Sequence, residues 1–362
     1  MSFAFGIFDS FDLGHSTPGE VLGRRLDFAV AAERAGIGHY HVTEHHGTPL
    51  SVCPSPNLFL AALSQRTSTM RIGALVNVLP AYHPLRLAEE IAILDQLTGG
   101  RLDLGVGSGV SPYELGYFGV EMAQAKAVYA EMLEAVTTAL STGAMRHEGT
   151  LVPSVDAELS VTPVQRPHPP LWYASSNTKT AEWAGERSVN FVGRWNGGGF
   201  VPAVHAYWDA WRRGAGAASA TGAGARVAEE AASGAAAPRI GMAARVYIGE
   251  TDASAAERFR KADDVYLRRL LKLWHDHGNH SPDAAFSTDT ALAAGNSLAG
   301  SVETVRDQLV EQVRQAPVNY FEVTLAFGDL TADETHASLS AFAETVMPAV
   351  REAAASRTDQ GA

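Results

Sequence analysis

Short apolar runs alternate with stretches of helical spacing along almost the whole chain. Phe3 to Phe8 is aromatic and apolar and ends at Asp9-Ser10, which predicts a strand with a polar C-terminal end. Pro18-Gly19-Glu20 opens a helix through Gly36, with Val21, Leu22, Leu26, Phe28, Ala29 and Ala32 near i, i+4, i+7 spacing. Gly38 to Thr43 is a second strand, and a proline-containing loop leads to a helix over Leu58 to Arg66. Met70 to Leu79 is nearly all apolar, as a parallel strand covered on both faces is. Pro84 to Leu97 is helical and stops at Gly99-Gly100; Arg101 to Val106 is a fourth strand, and Glu121 to Leu140 is helical again. Residues 143–169 read as a β-hairpin excursion, because Gly149 and four prolines exclude a helix. Strands at Pro170 to Ala174 and Val189 to Val192 flank a helix through Arg187. Residues 203–237 begin as a helix and drift into Ala/Gly low complexity from 214. Ala243 to Ile248 is a seventh strand, Ala253 to His277 a charged helix, and the aperiodic 278–300 a loop of the length that often serves as a lid. Val302 to Gln315 is a helix, Tyr320 to Ala326 an eighth strand, and Asp333 to Ala353 a closing helix.

Eight strands alternating with helices predict an α/β fold, a (β/α)8 TIM barrel with two insertions, in one domain over residues 1–353; residues 354–362 read as a disordered tail. A doubly wound open sheet is the runner-up, but no G-x-G-x-x-G follows the first strand. In a barrel, function gathers at the C-terminal strand ends. The polar clusters fall there: Asp9, Glu44-His45-His46, Ser108, Ser175-Ser176-Asn177 and Arg194-Trp195-Asn196.

Composition narrows the setting. The 362 residues are 46% hydrophobic and 19% charged, which suits a sizeable core. A formal net charge of -12 disfavours nucleic acid and anionic membrane as partners. A single cysteine, Cys53, excludes an intramolecular disulfide and fits a reducing cytoplasm. No signal-like N-terminus and no uninterrupted apolar stretch of membrane-spanning length is present.

The densest chemistry lies in His41-Val42-Thr43-Glu44-His45-His46. His41-x-x-Glu44-His45 matches an inverted zinc-hydrolase motif, which works on a helix. Here a strand precedes the cluster and Pro49 follows it, so metal is not expected. On a strand, His41, Thr43 and His45 share one face. His45 then points into the barrel mouth, where a histidine can give or take a proton near neutral pH. His41 reads as a satisfied interior histidine. Gly107-Ser108-Gly109 offers backbone N–H groups after strand four, and Ser175-Ser176-Asn177 precedes a helix N-terminus, either an anion site or a plain N-cap.

Thr43-Glu44-His45-His46 resembles the T-E-H-H signature of the bacterial luciferase-like flavin-dependent monooxygenases. Arg71-Ile72-Gly73 through Val78-Leu79-Pro80-Ala81-Tyr82-His83-Pro84, Glu89 through Arg101, Thr180-Ala181-Glu182-Trp183-Ala184 and Val346-Met347-Pro348 are similar to that family in order and spacing, over residues 3 to 352. The resemblance implies a TIM-barrel subunit that uses reduced FMN and O2, through a C4a-peroxide, to oxygenate a small organic substrate. It also implies a separate flavin reductase and a homodimer. It places His45 beside the reacting flavin, with Glu44 and His46 as supports. It further implies a non-prolyl cis peptide at Leu75-Val76 under the ring, with Ala74, Leu75 and Val76 in contact with the flavin. Gly107, Ser108, Ser175, Ser176, Asn177 and Thr180 fall at the phosphate, and Phe8, Asp9, Tyr113 and Trp195 around the substrate pocket. The chain departs from luciferase at Ser108, where luciferase has an arginine, and at Ser176-Asn177, where it has Glu-Ser. That departure leaves the deazaflavin F420 as an alternative cofactor, with hydride transfer as the reaction; a non-catalytic flavin-binding protein is a third reading.

Overall fold

A computed structural model describes residues 2–14, 16–220 and 237–358. The alternation is realised as β1 (Ala4–Asp9), α1 (Pro18–Arg34), β2 (His39–Val42), α2 (Pro56–Ser64), β3 (Arg71–Val78), α3 (Pro84–Thr98), β4 (Leu102–Gly107), α4 (Pro112–Tyr117) and α5 (Ala125–Thr142). The hairpin β5 (Ala144–His147) and β6 (Val155–Glu158) follows, then β7 (Leu171–Ala174), α6 (Thr178–Glu186), β8 (Asn190–Gly193), α7 (Val201–Ala220) and β9 (Ile240–Ile248). The chain ends with α8 (Asp252–Leu270), α9 (Lys272–Asp276), α10 (Thr288–Ala293), β10 (Ser297–Gly300), α11 (Val302–Gln315), β11 (Tyr320–Thr324), α12 (Ala332–Ala341) and α13 (Met347–Thr358).

Strands β1, β2, β3, β4, β7, β8, β9 and β11 pair in parallel and close, β9 bonding to both β8 and β11. This is the predicted TIM barrel. Side chains alternate between the helical layer and the lumen. On β9, Ile240, Met242, Ala244, Val246 and Ile248 join the main core between strands and helices, whereas Ala243 packs in the lumen with Leu75, Trp172, Val192 and Tyr320. The lumen accepts so large a residue as Tyr320 because Gly6 faces it: a Cβ there would sit 1.8 Å from the Tyr320 hydroxyl. The capping box of Thr17 with Glu20, and Pro18 in the first turn, start α1 where the sequence predicts it.

Four differences from the expected elements have local causes. A helix missed in the sequence, α4, is started by Ser111, which accepts the N–H of Glu114, and by Pro112. The segment 278–300 is not an open loop. It folds into α10 and the short β10, held by Thr288 to Asp263 at 2.7 Å, by Asn296 to Asn196 at 3.1 Å and by Gln312 to the Gly295 carbonyl at 3.0 Å. Strand β9 starts three residues early, at Ile240, whose N–H donates to the Asn319 side chain. The closing helix runs on through Thr358 rather than fraying at 354, because the Arg357 guanidinium donates to the Val313, Ala316 and Val318 carbonyls. Most of the low-complexity stretch, 221–236, and the tail from 359 lie outside the described residues. Among the described residues, no helix is long and apolar enough to cross a membrane.

Candidate active site

A cavity of about 270 Å³ opens at the C-terminal ends of β1 to β4 and β7, near the lower end of the range for small-molecule sites. Its floor is Leu75 and Val76, joined by a cis peptide bond as the resemblance implied. Val106, Gly107, Ser108 and Gly109 form one wall, and His45, Glu44 and Thr43 the opposite one. Leu115 and Phe118 on and after α4 cover it from above. Gly107 has a steric reason to be glycine. A Cβ there would lie 2.4 Å from a Val76 methyl, so any larger residue would push the floor into the cavity.

His45 is anchored by another lining residue: its Nδ1 lies 3.3 Å from Glu114 Oε1 on α4. Glu114 Oε2 also accepts the N–H of His46 at 2.8 Å, so one carboxylate fixes both the ring and the backbone of the T-E-H-H turn. The Nε2 of His45 has no protein partner among the described residues. Glu44, almost fully buried, accepts from Val78 N–H at 3.1 Å and from the Tyr82 hydroxyl at 2.7 Å, and its second oxygen lies 2.9 Å from His46 Nε2. It therefore ties the histidine turn to the end of β3. Replacing Glu44 with alanine strands three donors, two of them well covered, and is expected to lower the unfolding free energy by about 2–4 kcal/mol. Urea denaturation measures it; an unchanged midpoint would show that the carboxylate ties nothing together.

The residues singled out in the sequence divide into two groups. Phe8, Glu44, His45, His46, Leu75, Val76, Gly107 and Ser108 line the cavity. The others do not. Ala74 packs outward into the strand–helix core. Asp9 also faces the helices, 2.5 Å from the Tyr40 hydroxyl and 3.1 Å from Arg25, and accepts the Phe11 N–H. The inside-outside alternation of β1 puts it with Phe5 and Ile7, away from the mouth. Ser175, Ser176, Asn177 and Thr180 lie past the cavity's edge: Asn177 caps α6 by accepting the Thr180 N–H at 3.1 Å, Ser175 accepts the Asn177 N–H, and Ser176 accepts the Arg194 N–H. Tyr113 points away, stacked on His277 at 4.1 Å and edge-on to Trp274. Among the described residues, none of 278–300 lines the cavity. Trp195 is buried in the main core beside Gly295.

The description of luciferase-like monooxygenases matches residues 3–320 of the sequence. The chain belongs to that family. An uncharacterized protein, y4wF of Sinorhizobium fredii, is 33% identical over 331 residues, 91% of this chain and 92% of the relative. Among solved structures, the monooxygenase RslO1 from Streptomyces bottropensis aligns with a TM-score of 0.79 at 24% identity, over 95% of this chain and 99% of that one. The oxygenating constituent of 3,6-diketocamphane monooxygenase from Pseudomonas putida, in complex with FMN, aligns with a TM-score of 0.72 at 20% identity, over 96% and 99% of the two chains. The luciferase-like barrel is the fold these structures share with the chain.

Beneath the cavity the luciferase-like barrel holds a charged network that the sequence reading missed. His41 Nδ1 lies 2.5 Å from Glu322 and its Nε2 3.2 Å from Asp103; His39 Nδ1 is 2.9 Å from the same Asp103 oxygen, and Arg71 Nε is 2.7 Å from the other. Burial alone would push the His41 pKa down, but Glu322 and Asp103 outweigh it and raise it to about 9. Burial likewise opposes ionisation of Asp103, and Arg71, His39 and His41 reverse the effect, holding it well below the usual range. His41 is the interior histidine expected. It does not share a site with His45, whose carboxylate partner is Glu114, so the helical zinc motif is not formed. Two signals were available in the sequence. Ser111-Pro112-x-Glu114 is a helix-start pattern beside the mouth, and polar His39, His41, Asp103 and Glu322 alternate with apolar neighbours inside strands.

Proposed function

We propose that the chain is the oxygenating subunit of a flavin-dependent monooxygenase that takes reduced FMN and O2 and oxygenates a small organic substrate. The carrying observation is the placement of His45: Nδ1 is held by Glu114 while the ring lines a cavity floored by Leu75-Val76. The cavity fits a flat ring system. Its floor and cover are apolar, and the missing Cβ at Gly107 makes room for the Val76 side chain that forms the floor. When bound, reduced flavin supplies the electrons that activate oxygen. The chain supplies the rest. Leu75, Val76, Val106 and Leu115 keep water from the reacting face. His45 Nε2 gives or takes the proton, and Glu114 selects the tautomer by accepting from Nδ1. Gly107, Ser108 and Gly109 border the same space, and their backbone suits the polar edge of the ring or the phosphate.

The diketocamphane relative is named as an oxygenating constituent, which supports a separate flavin reductase as partner here. Leu58, Ile93 and Leu97 leave apolar surface exposed on the packed pair α2 and α3, which supports a homodimer through those helices. No arginine stands at Ser108, so F420 is retained as the competing cofactor. The test uses the purified chain with photoreduced FMN or with reduced F420. Oxygen uptake with protein-dependent spectral change and saturable binding of FMN supports the proposal. Hydride transfer from F420, with FMN neither bound nor oxidised faster than in buffer, overturns it.

A further inference from the structure

Two arginines meet at the side of the barrel mouth that the cavity leaves uncovered. Arg245 lies on β9 two residues after Ala243, which packs in the lumen, and Arg194 follows β8 two residues after the lumen residue Val192. Alternation puts both side chains on the lumen side. Asp263 on α8 is fully buried and lies 2.6 Å from Arg245 Nε, with its other oxygen accepting from Thr288. Arg245 also stacks over the Tyr266 ring at 4.7 Å. One carboxylate therefore serves one of the two guanidiniums. Among the described residues, no hydrogen bond or ion pair reaches the guanidinium of Arg194, although it is partly withdrawn from solvent and within electrostatic range of Arg245. Burial first, and the Arg245 charge second, push its pKa down; Tyr266 and Asp263, which Arg245 already engages, offset this only in part.

An isolated charge withdrawn from water beside a like charge is costly unless an anion completes it. Planar guanidiniums take carboxylate, sulfonate or phosphate groups through two parallel N–H bonds. We infer that Arg194, backed by Arg245, binds an anionic group on the substrate that the flavin-bearing cavity oxygenates. The inference rests on the proposed monooxygenase reading for the word substrate, and not for the anion itself. The flavin phosphate is the competing anion, because the Arg194 N–H donates to Ser176 in the segment after β7; Arg245 and Asp263, on β9 and α8, favour a substrate group, and the riboflavin comparison separates the two.

The test uses the whole chain with benzoate as probe and benzamide as its neutral counterpart, by calorimetry and thermal shift, in wild type and in Arg194→Met and Arg194→Lys. Benzoate is expected to bind saturably and benzamide not. Arg194→Met weakens benzoate ~10- to 100-fold, Arg194→Lys less, and FMN and riboflavin affinities stay unchanged. Because the Arg194 guanidinium has no hydrogen bond or ion pair to lose among the described residues, the methionine variant keeps or raises the wild-type melting temperature. Equal binding of benzoate and benzamide, or undiminished benzoate binding in Arg194→Met, overturns the inference. So does a variant that weakens FMN but not riboflavin, which would give Arg194 to the flavin phosphate. Benzoate selectivity without any FMN binding would instead sink the monooxygenase reading and leave the anion site standing.

Discussion

His45→Ala is expected to bind reduced FMN with wild-type affinity within a few-fold, while the product formed per O2 consumed falls by ~10²-fold or more. The missing product reappears as hydrogen peroxide. The reasoning starts from geometry. His45 touches the cavity but holds no wall together; its one protein hydrogen bond is to Glu114, which has a second anchor in the His46 N–H. Removing the ring therefore leaves the floor at Leu75-Val76 and the cover from α4 in place, and takes away only a proton-transfer group at the reacting face. A general acid or base at such a position contributes that order of rate. Glu114→Gln keeps the neutral hydrogen bond and loses the charge, so its yield should fall in the same direction by a smaller factor. Peroxide and product are quantified against oxygen uptake in the same reaction. An alanine variant with undiminished product yield removes His45 from the chemistry.

Asp103→Asn should have the largest effect on stability, about 3–5 kcal/mol, since removing one partner of a buried ion pair leaves its charges uncompensated. Asp103 lies 2.7 Å from Arg71 Nε, 2.9 Å from His39 and 3.2 Å from His41, all in the lumen. The same network dictates the pH profile. The His41 pKa is raised from 6.5 to about 9 in the folded chain, so its contribution is full below 6.5 and is lost as pH rises through 9. The Asp103 pKa is depressed, so its contribution is present above 3.8 and is lost as pH falls below that value. Wild-type urea midpoints should therefore fall between pH 6.5 and 9 and level off above it, and the asparagine variant should lose part of that slope along with its stability. A variant as stable as wild type at neutral pH would mean that the lumen charges are not coupled.

The barrel was legible because parallel strands covered on both faces leave short apolar runs such as Ile72 to Val78, and eight such runs alternate with helical spacing along the chain. What escaped detection was short or non-local. Ser297-Leu298-Ala299-Gly300 pairs with the upper half of β9, and four residues with Leu298 as the one large apolar side chain carry too little signal to register as a strand. His45 stands out in the sequence because a signature surrounds it, whereas Glu114, its hydrogen-bond partner, stands 69 residues away behind an inconspicuous Ser-Pro. Asp9 was placed at the mouth because it ends a strand, but the position faces the helices; chain order alone does not give the facing of a terminal residue. His41 and Glu322 are 281 residues apart, and only the closing of β11 against β1 brings them together.

The direct measurement of the central claim is a crystal structure with FMN soaked into the whole chain. The account predicts the ring lying on Leu75-Val76, against Gly107, with its edge in contact with His45. A ring bound elsewhere, such as the pocket between α1 and α12 lined by Arg24, Asp12 and Asp329, would contradict it.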